Sequence, residues 1–228
     1  MSTVLTINVQ NQSPYQEQFF IFQQPAVYSG GPGSYSNSLY SRGLNGADSG
    51  DQLTFQTNTQ YSAAVQETRT ATPQIGTASG YESVTQLIDL GASNNTPANN
   101  DCAQMTWDAS SQALGLCAPV NNPQVPAGAF RIVTATYNPT TTPFNVGSAT
   151  VVNNNIVLSN FVIGAPNTNV DCQPILKFYV QTGSFAQGTV MNFTYSSTTA
   201  AVCDFTGGKT SILVVYIADG TWTVSYGS

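Results

Sequence analysis

The acidic residues carry most of the chemistry open to this chain, because the usual catalytic partner is missing: its 228 residues include no histidine. That absence removes Ser-His-Asp and Cys-His catalysis, histidine-ligated metals and imidazole acid–base work at neutral pH. Carboxylate, Tyr, Lys and Cys chemistry is left. Glu67 and Glu82 fall on neighbouring predicted strands, where they could face each other as the acid and the nucleophile or base of a glycoside hydrolase. The plainer reading is two isolated acids that hydrate a charge-poor surface. Asp48 and Asp51, in Gly-Ala-Asp-Ser-Gly-Asp, offer hard oxygens to calcium. The loop lacks EF-hand spacing and a terminal Glu, and an Asx-turn explains it more simply. Lys177 lies in Pro-Ile-Leu-Lys-Phe-Tyr-Val: a nucleophile if its strand desolvates it, a wet-face cation otherwise. The balance points away from an enzyme, and no cofactor is expected.

Binding is better served. Tyr28, Tyr35 and Tyr40 flank a glycine-rich stretch with Asn37. Aromatic faces cover the apolar side of a sugar ring and amides bond its hydroxyls, so these four residues form a candidate glycan site. The same composition suits any adaptable contact loop. Cys102, Cys117, Cys172 and Cys203 contain no CxxC pair, so zinc is not expected. Sequence order favours the pairings 102–117 and 172–203, but free thiols are the expected state. The Asp before Cys102 and before Cys172 disfavours a reactive thiolate. Three sequons, at Asn11, Asn94 and Asn192, are read as chance matches.

Composition narrows the partners. Charged residues make up 7%, and the net charge is −6 with five basic residues. Ordinary soluble domains carry roughly 25% charge. A phosphate-binding surface is not expected, nor is binding to nucleic acid, and anionic membranes are disfavoured. No apolar run reaches the ~20 residues of a spanning helix. Met-Ser-Thr-Val-Leu-Thr-Ile-Asn-Val-Gln lacks the basic and apolar regions of a signal peptide. The chain is therefore expected in the cytoplasm, or exported by a route without a classical leader.

The elements that must position these groups read as strands. Ser211–Ala218 is a continuous apolar run that suits a strand buried on both faces. Trp222, Val224 and Tyr226 then alternate with Thr and Ser, and Asp219-Gly220 between the two predicts a type I′ hairpin. Residues 3–10 and 18–23 alternate or run apolar around Asn11-Gln-Ser-Pro14, which predicts a second hairpin. Residues 29–38 read as a surface loop. Strands follow at 52–57, 61–70 and 82–90, with a helical start at 63–67 as the alternative, and then at 130–137, 144–152, 155–163, 174–182 and 189–195. This spacing predicts an all-β protein: an antiparallel β-sandwich, or two packed sandwich subdomains. The division would be 1–118 and 129–228, joined by the proline-rich stretch 119–128.

Val9, Asn11, Phe20, Ile21, Phe22, Gln23, Pro25 and the run Asn37 to Ser41 give the first fifth of the chain a pattern that resembles the RhiA family of bacterial proteins. Gly220 to Val224 is similar in kind but less specific. The resemblance implies a β-fold and a setting on plant or other host surfaces under cell-density control, and it transfers no catalytic motif. Together these readings lead to a non-enzymatic structural or interaction protein, self-associating or surface-binding through low-charge β-faces. A lectin-like protein is the first alternative and a carboxylate-based hydrolase the second. The partner is the chain itself, or a glycan or other cell-surface ligand.

Overall fold

The computed structural model describes residues 3–30, 33–153 and 155–227. The strands of the first half are β1 (Val4–Asn11), β2 (Glu17–Gln23), β3 (Val27–Ser29), β4 (Tyr35–Leu44), β5 (Gln52–Asn58), β6 (Tyr61–Glu67), β7 (Ser83–Ile88), β8 (Cys102–Asp108) and β9 (Ala113–Leu116). Those of the second half are β10 (Phe130–Val133), β11 (Phe144–Val152), β12 (Asn155–Ile163), β13 (Asn169–Gln173), β14 (Lys177–Thr182), β15 (Val190–Met191), β16 (Ala201–Asp204), β17 (Ser211–Tyr216) and β18 (Trp222–Gly227). Among the described residues one short α-helix, α1 (Phe193–Ser197), precedes β16. The expected all-β class is what the chain adopts.

Three sheets form. The largest has the order β16-β14-β2-β4-β12-β11-β6-β7, with β15 added beside β4. A four-stranded sheet, β18-β17-β1-β5, packs on one half of it, and a five-stranded sheet, β3-β13-β10-β8-β9, on the other. In the first interface Ile7, Val9, Phe55 and Val214 meet Phe19, Ile21, Phe178 and Val180. In the second, Ala103, Phe130, Ile132 and Val170 meet Val65, Phe144, Val146 and Val162. Eight phenylalanines are fully buried, each worth about 1.5–3 kcal/mol relative to exposure. Every sheet draws strands from both sides of residues 119–128. That stretch carries the chain from β9 to β10, which runs parallel to β8. It is tied down as it passes: Val120 bridges Cys102, Asp101 Oδ1 accepts from the Asn122 N–H, and Arg131 Nη2 donates to Gln124 O. Arg131 also grips Asp171 across the β10–β13 pair with two bonds, at 2.6 and 2.9 Å.

Several local expectations are corrected by long-range pairing. β1 and β2 do not form a hairpin: β1 lies between β17 (parallel) and β5 (antiparallel), while β2 pairs with β14 and β4. Their apolar faces both need cover, and they cover each other across the first interface instead of side by side in one sheet. The β17–β18 hairpin forms, but not through a type I′ turn. Gly220 alone takes a positive φ (84°), Ile217 O accepts from Gly220 N–H, and Ile217 N–H donates to Thr221 O. This is a three-residue loop with glycine in the left-handed position. Asp219 supports it by accepting from the Thr221 N–H and hydroxyl. Of the apolar run only Ile212 and Val214 are buried, because the outer face of β17 stays half open. β11 and β12 match their expected spans, and Asn153, at φ 47°, turns the chain beside them. The loop expected at 29–38 becomes β4 from Tyr35 onward; residues 31 and 32 lie outside the described residues. Residues 63–67 are strand, not helix. The strand expected at 189–195 is two residues of β15 followed by α1, which Asn192 caps by accepting from the Tyr195 N–H.

Candidate functional site

The four residues of the expected glycan loop are not brought together. The Tyr28 hydroxyl is buried at 2.7 Å from both Asn160 O and Asn160 Oδ1, and burial pushes its pKa well up. Tyr40 packs against the first core. Tyr35 stacks on Phe161 with ring centroids 5.5 Å apart, and Asn37 is 1% exposed. The last two do border clefts, though different ones.

Those clefts are made by residues 68–82. This segment leaves β6 and returns to β7, but it crosses the outer face of the large sheet as a strap rather than turning tightly. Backbone bonds pin it beside β15: Gly76 N to Val190 O and Val190 N to Thr77 O, both 2.8 Å, and Ser79 N to Gly188 O at 3.1 Å. At Gly80 the strap folds back onto β6. A Cβ there would lie 2.2 Å from Glu67 O, so glycine is required by close approach. The outer face of the sheet is apolar beneath it, with Phe20, Phe22, Tyr179 and Met191 in one cluster and Ala64, Leu158, Phe161 and Val190 in another. The strap and the segment after β14 are what cover that surface.

On one side of the strap lie two adjoining clefts that share Ile75 and Asn192. One, of about 450 Å³, is lined by Phe20, Phe185 and Tyr195 with Gln181, Thr182 and Thr199. The other, of about 320 Å³, is lined by Tyr35, Phe193, Pro25, Pro73, Ser34 and Thr194 among others. Neither has a charged side chain in its wall. Tyr195 is 79% exposed and Ile75 59%, an uncommon degree of exposure for large apolar groups held side by side. Asn192 caps the helix with its Oδ1, and its amide nitrogen makes no hydrogen bond among the described residues.

On the other side, neutral polar groups are buried in a network. Asn37 Nδ2 donates to Ser79 Oγ and to Leu158 O, both at 2.9 Å. Ser79 Oγ donates to Gln66 Oε1 at 2.9 Å, which also accepts from Asn145 Nδ2 at 3.0 Å. Asn145 Nδ2 reaches Ser79 O as well, at 2.9 Å. The network therefore ties β4, β6 and β11 to the strap, and a pocket of about 210 Å³ opens over it.

The carboxylates lie outside these clefts. Glu67 is buried, and its Oε2 accepts from the Tyr81 hydroxyl at 2.7 Å, which raises the Tyr81 pKa. Glu82 O accepts from the Glu67 N–H at 2.8 Å, the Glu82 charge also raises the Tyr81 pKa, and neither residue lines the clefts described above. Arg69 sits over the Tyr81 ring at 5.5 Å. Asp51 Oδ2 is taken by the backbone and side-chain N–H groups of Asn45, at 3.3 and 2.6 Å, while Asp48 is exposed. Among the described residues no three His, Cys, Asp or Glu side chains cluster as a metal would need. Lys177 pairs with Asp204 at 3.0 Å, and that bond raises its pKa, so it is held as a cation rather than a nucleophile. All four cysteines are free. Cys172 and Cys203 belong to different cores, and burial pushes both thiols up, Cys203 to about 12. The Asn11 sequon is closed, its amide donating to three carbonyls.

Sequence reasoning missed Gln66, Ser79, Ile75, Asn145, Phe185, Asn192 and Tyr195. One signal was available. Asn192-Phe-Thr-Tyr-Ser-Ser is a capping residue ahead of a short turn, and it marks a break where a strand was expected. Among the described residues no helix is long and apolar enough to cross a membrane. No family model, no curated protein and no solved structure matches the chain.

Proposed function

We propose that this protein is a non-enzymatic binding protein whose ligand is a neutral glycan, seated in the paired clefts around Ile75 and Asn192. The observation that carries the reading is the composition of their walls: exposed and half-exposed rings beside amides and hydroxyls, with no charged side chain. Rings cover the C–H face of a sugar, neutral donors and acceptors read its hydroxyls, and an uncharged wall avoids the much larger cost of desolvating an ion. Tyr35 remains in this proposal; Tyr28, Asn37 and Tyr40 leave it. A glycan array tests it. Selective signal on neutral glycans is expected, and Tyr195→Ala should weaken binding about tenfold, as loss of one aromatic contact does. Absence of any selective signal rejects it.

A second reading is self-association, and β18 favours it. This six-residue edge strand carries no charge and no proline, so it lacks the side chains that ordinarily block edge-to-edge pairing. Sedimentation at rising concentration tests it: a monomer throughout rejects it. The RhiA-like resemblance fits either reading, since both place the protein at a contact surface.

A further inference from the structure

The outer edge of β18 is bare backbone, and its geometry fixes what can cover it. β17 and β18 pair with Leu213 opposite Ser225 and Val214 opposite Val224. The bond from Ile217 N–H to Thr221 O marks these two as a hydrogen-bonded pair, and such pairs alternate along an antiparallel ladder. Thr223 and Ser225 therefore turn their N–H and C=O groups to β17. Those of Trp222, Val224 and Tyr226 point the other way, where β18 has no neighbouring strand among the described residues. The side chains alternate as well. Trp222 and Val224 pack on the first core, and Trp222 is held there by the bond from its Nε1 to Thr199 O at 2.8 Å. Tyr226, on the same face, is 47% exposed, and Thr223 and Ser225 are exposed on the outer face.

We infer that a second copy of this chain covers this edge: two β18 strands pair antiparallel about a two-fold axis at Val224, joining their sheets into one. The inference rests on the self-association reading and gives it a geometry. In that register Val224 meets its own counterpart and Trp222 meets Tyr226 of the second copy, so the outward backbone groups of all three residues are bonded. The side chains match too. On the inner face Val meets Val, and the exposed Tyr226 ring comes to rest against the second copy's Trp222. On the outer face Thr223 meets Ser225, a hydroxyl pair with no charge. A strand complementary to itself in this way favours its own copy over an unrelated strand. β7 supplies the contrast. It is also an uncharged edge strand of six residues, but Glu82 and Asp89 bracket it. The same two-fold pairing there would set Glu82 against Asp89 of the second copy, and like charges directly opposite are destabilising.

Sedimentation of the full chain at rising concentration should show a reversible monomer–dimer equilibrium, as a small interface gives. Thr223→Lys with Ser225→Lys, both at exposed positions, sets lysine opposite lysine across the axis and should raise the dimer Kd about tenfold or more. Ser83→Lys with Leu87→Lys, exposed on β7, should leave it unchanged. Cross-linking reads the register in a Cys117→Ser background, which removes the exposed native thiol. Thr223 and Ser225 of the second copy form a non-hydrogen-bonded pair, whose Cα spacing of about 4.5 Å suits a disulfide. Thr223→Cys and Ser225→Cys chains, mixed with oxidised glutathione, should therefore cross-link to each other, while Thr223→Cys alone should not. A monomer at every concentration overturns both self-association and this geometry. A dimer that survives the β18 lysines leaves self-association standing and overturns the inference. So does Thr223→Cys that cross-links alone as readily as in the mixture.

Discussion

The two sides of the strap solve opposite problems with the same backbone. On the side of Asn37, polar groups have been taken out of water and must find one another. On the side of Tyr195, apolar rings have been left in water and find no complete cover. The first arrangement is a structural debt met by hydrogen bonds, so its residues hold the fold. The second costs the fold little to alter, so its residues are free to serve recognition. A buried network and an exposed ring differ in what a substitution removes: satisfied bonds in one case, contact area with something else in the other.

The largest expected effect is at the network's centre. Asn145→Ala strips donors from Gln66 Oε1 and Ser79 O and should cost about 2–3 kcal/mol, or roughly 5–10 °C in Tm for a chain of this size. Thermal unfolding by circular dichroism measures it, and a loss as small as that of a surface substitution would break the comparison. Gly80→Ala acts on both sides, because its Cβ would collide with Glu67 O and lift the strap. It should cost about 1–3 kcal/mol and speed hydrogen exchange at Thr77, Ser79 and Val190. Exchange that stays slow would mean the strap is held elsewhere. Tyr195→Ala should change stability by less than about 0.5 kcal/mol while removing ligand contact. If it unfolds the protein as Asn145→Ala does, the cleft is core rather than site.

The smallest effect is electrostatic. Neither cleft contains a titratable carboxylate, so both should be indifferent to pH through the neutral range. Tyr81, at the foot of the strap, is the exception, since its pKa is raised by the bond to Glu67. The protonated phenol is the bonded form. Its contribution is complete below the ordinary tyrosine value of about 10 and is lost as pH rises through the higher folded value. Strap amides should therefore exchange faster only above that range, and Tyr81→Phe should abolish the change. A strap whose exchange does not change above that range would mean that the Tyr81 bond does not hold it.

What the sequence determined by itself was the class of structure and the classes of chemistry. Period-two alternation at β1 and β5, and apolar runs at β2, β11 and β12, are local properties and survive into the fold. The missing histidine and scarce charge exclude functions whatever the topology. Pairing was not legible, because β1 is satisfied equally by a neighbour twelve residues away and by β17, two hundred residues on; only the sandwich decides which face gets cover. Ser36 to Ser38 read as loop because polar residues are normally wet. They are buried strand because Ser79, Leu158 and Phe185 arrive from distant segments to bond Asn37 and Ser38. The clefts share that origin. Ile75 is more than a hundred residues from Asn192 and Tyr195 along the chain, and it meets them because a strap without periodicity is pinned to a two-residue strand by backbone bonds.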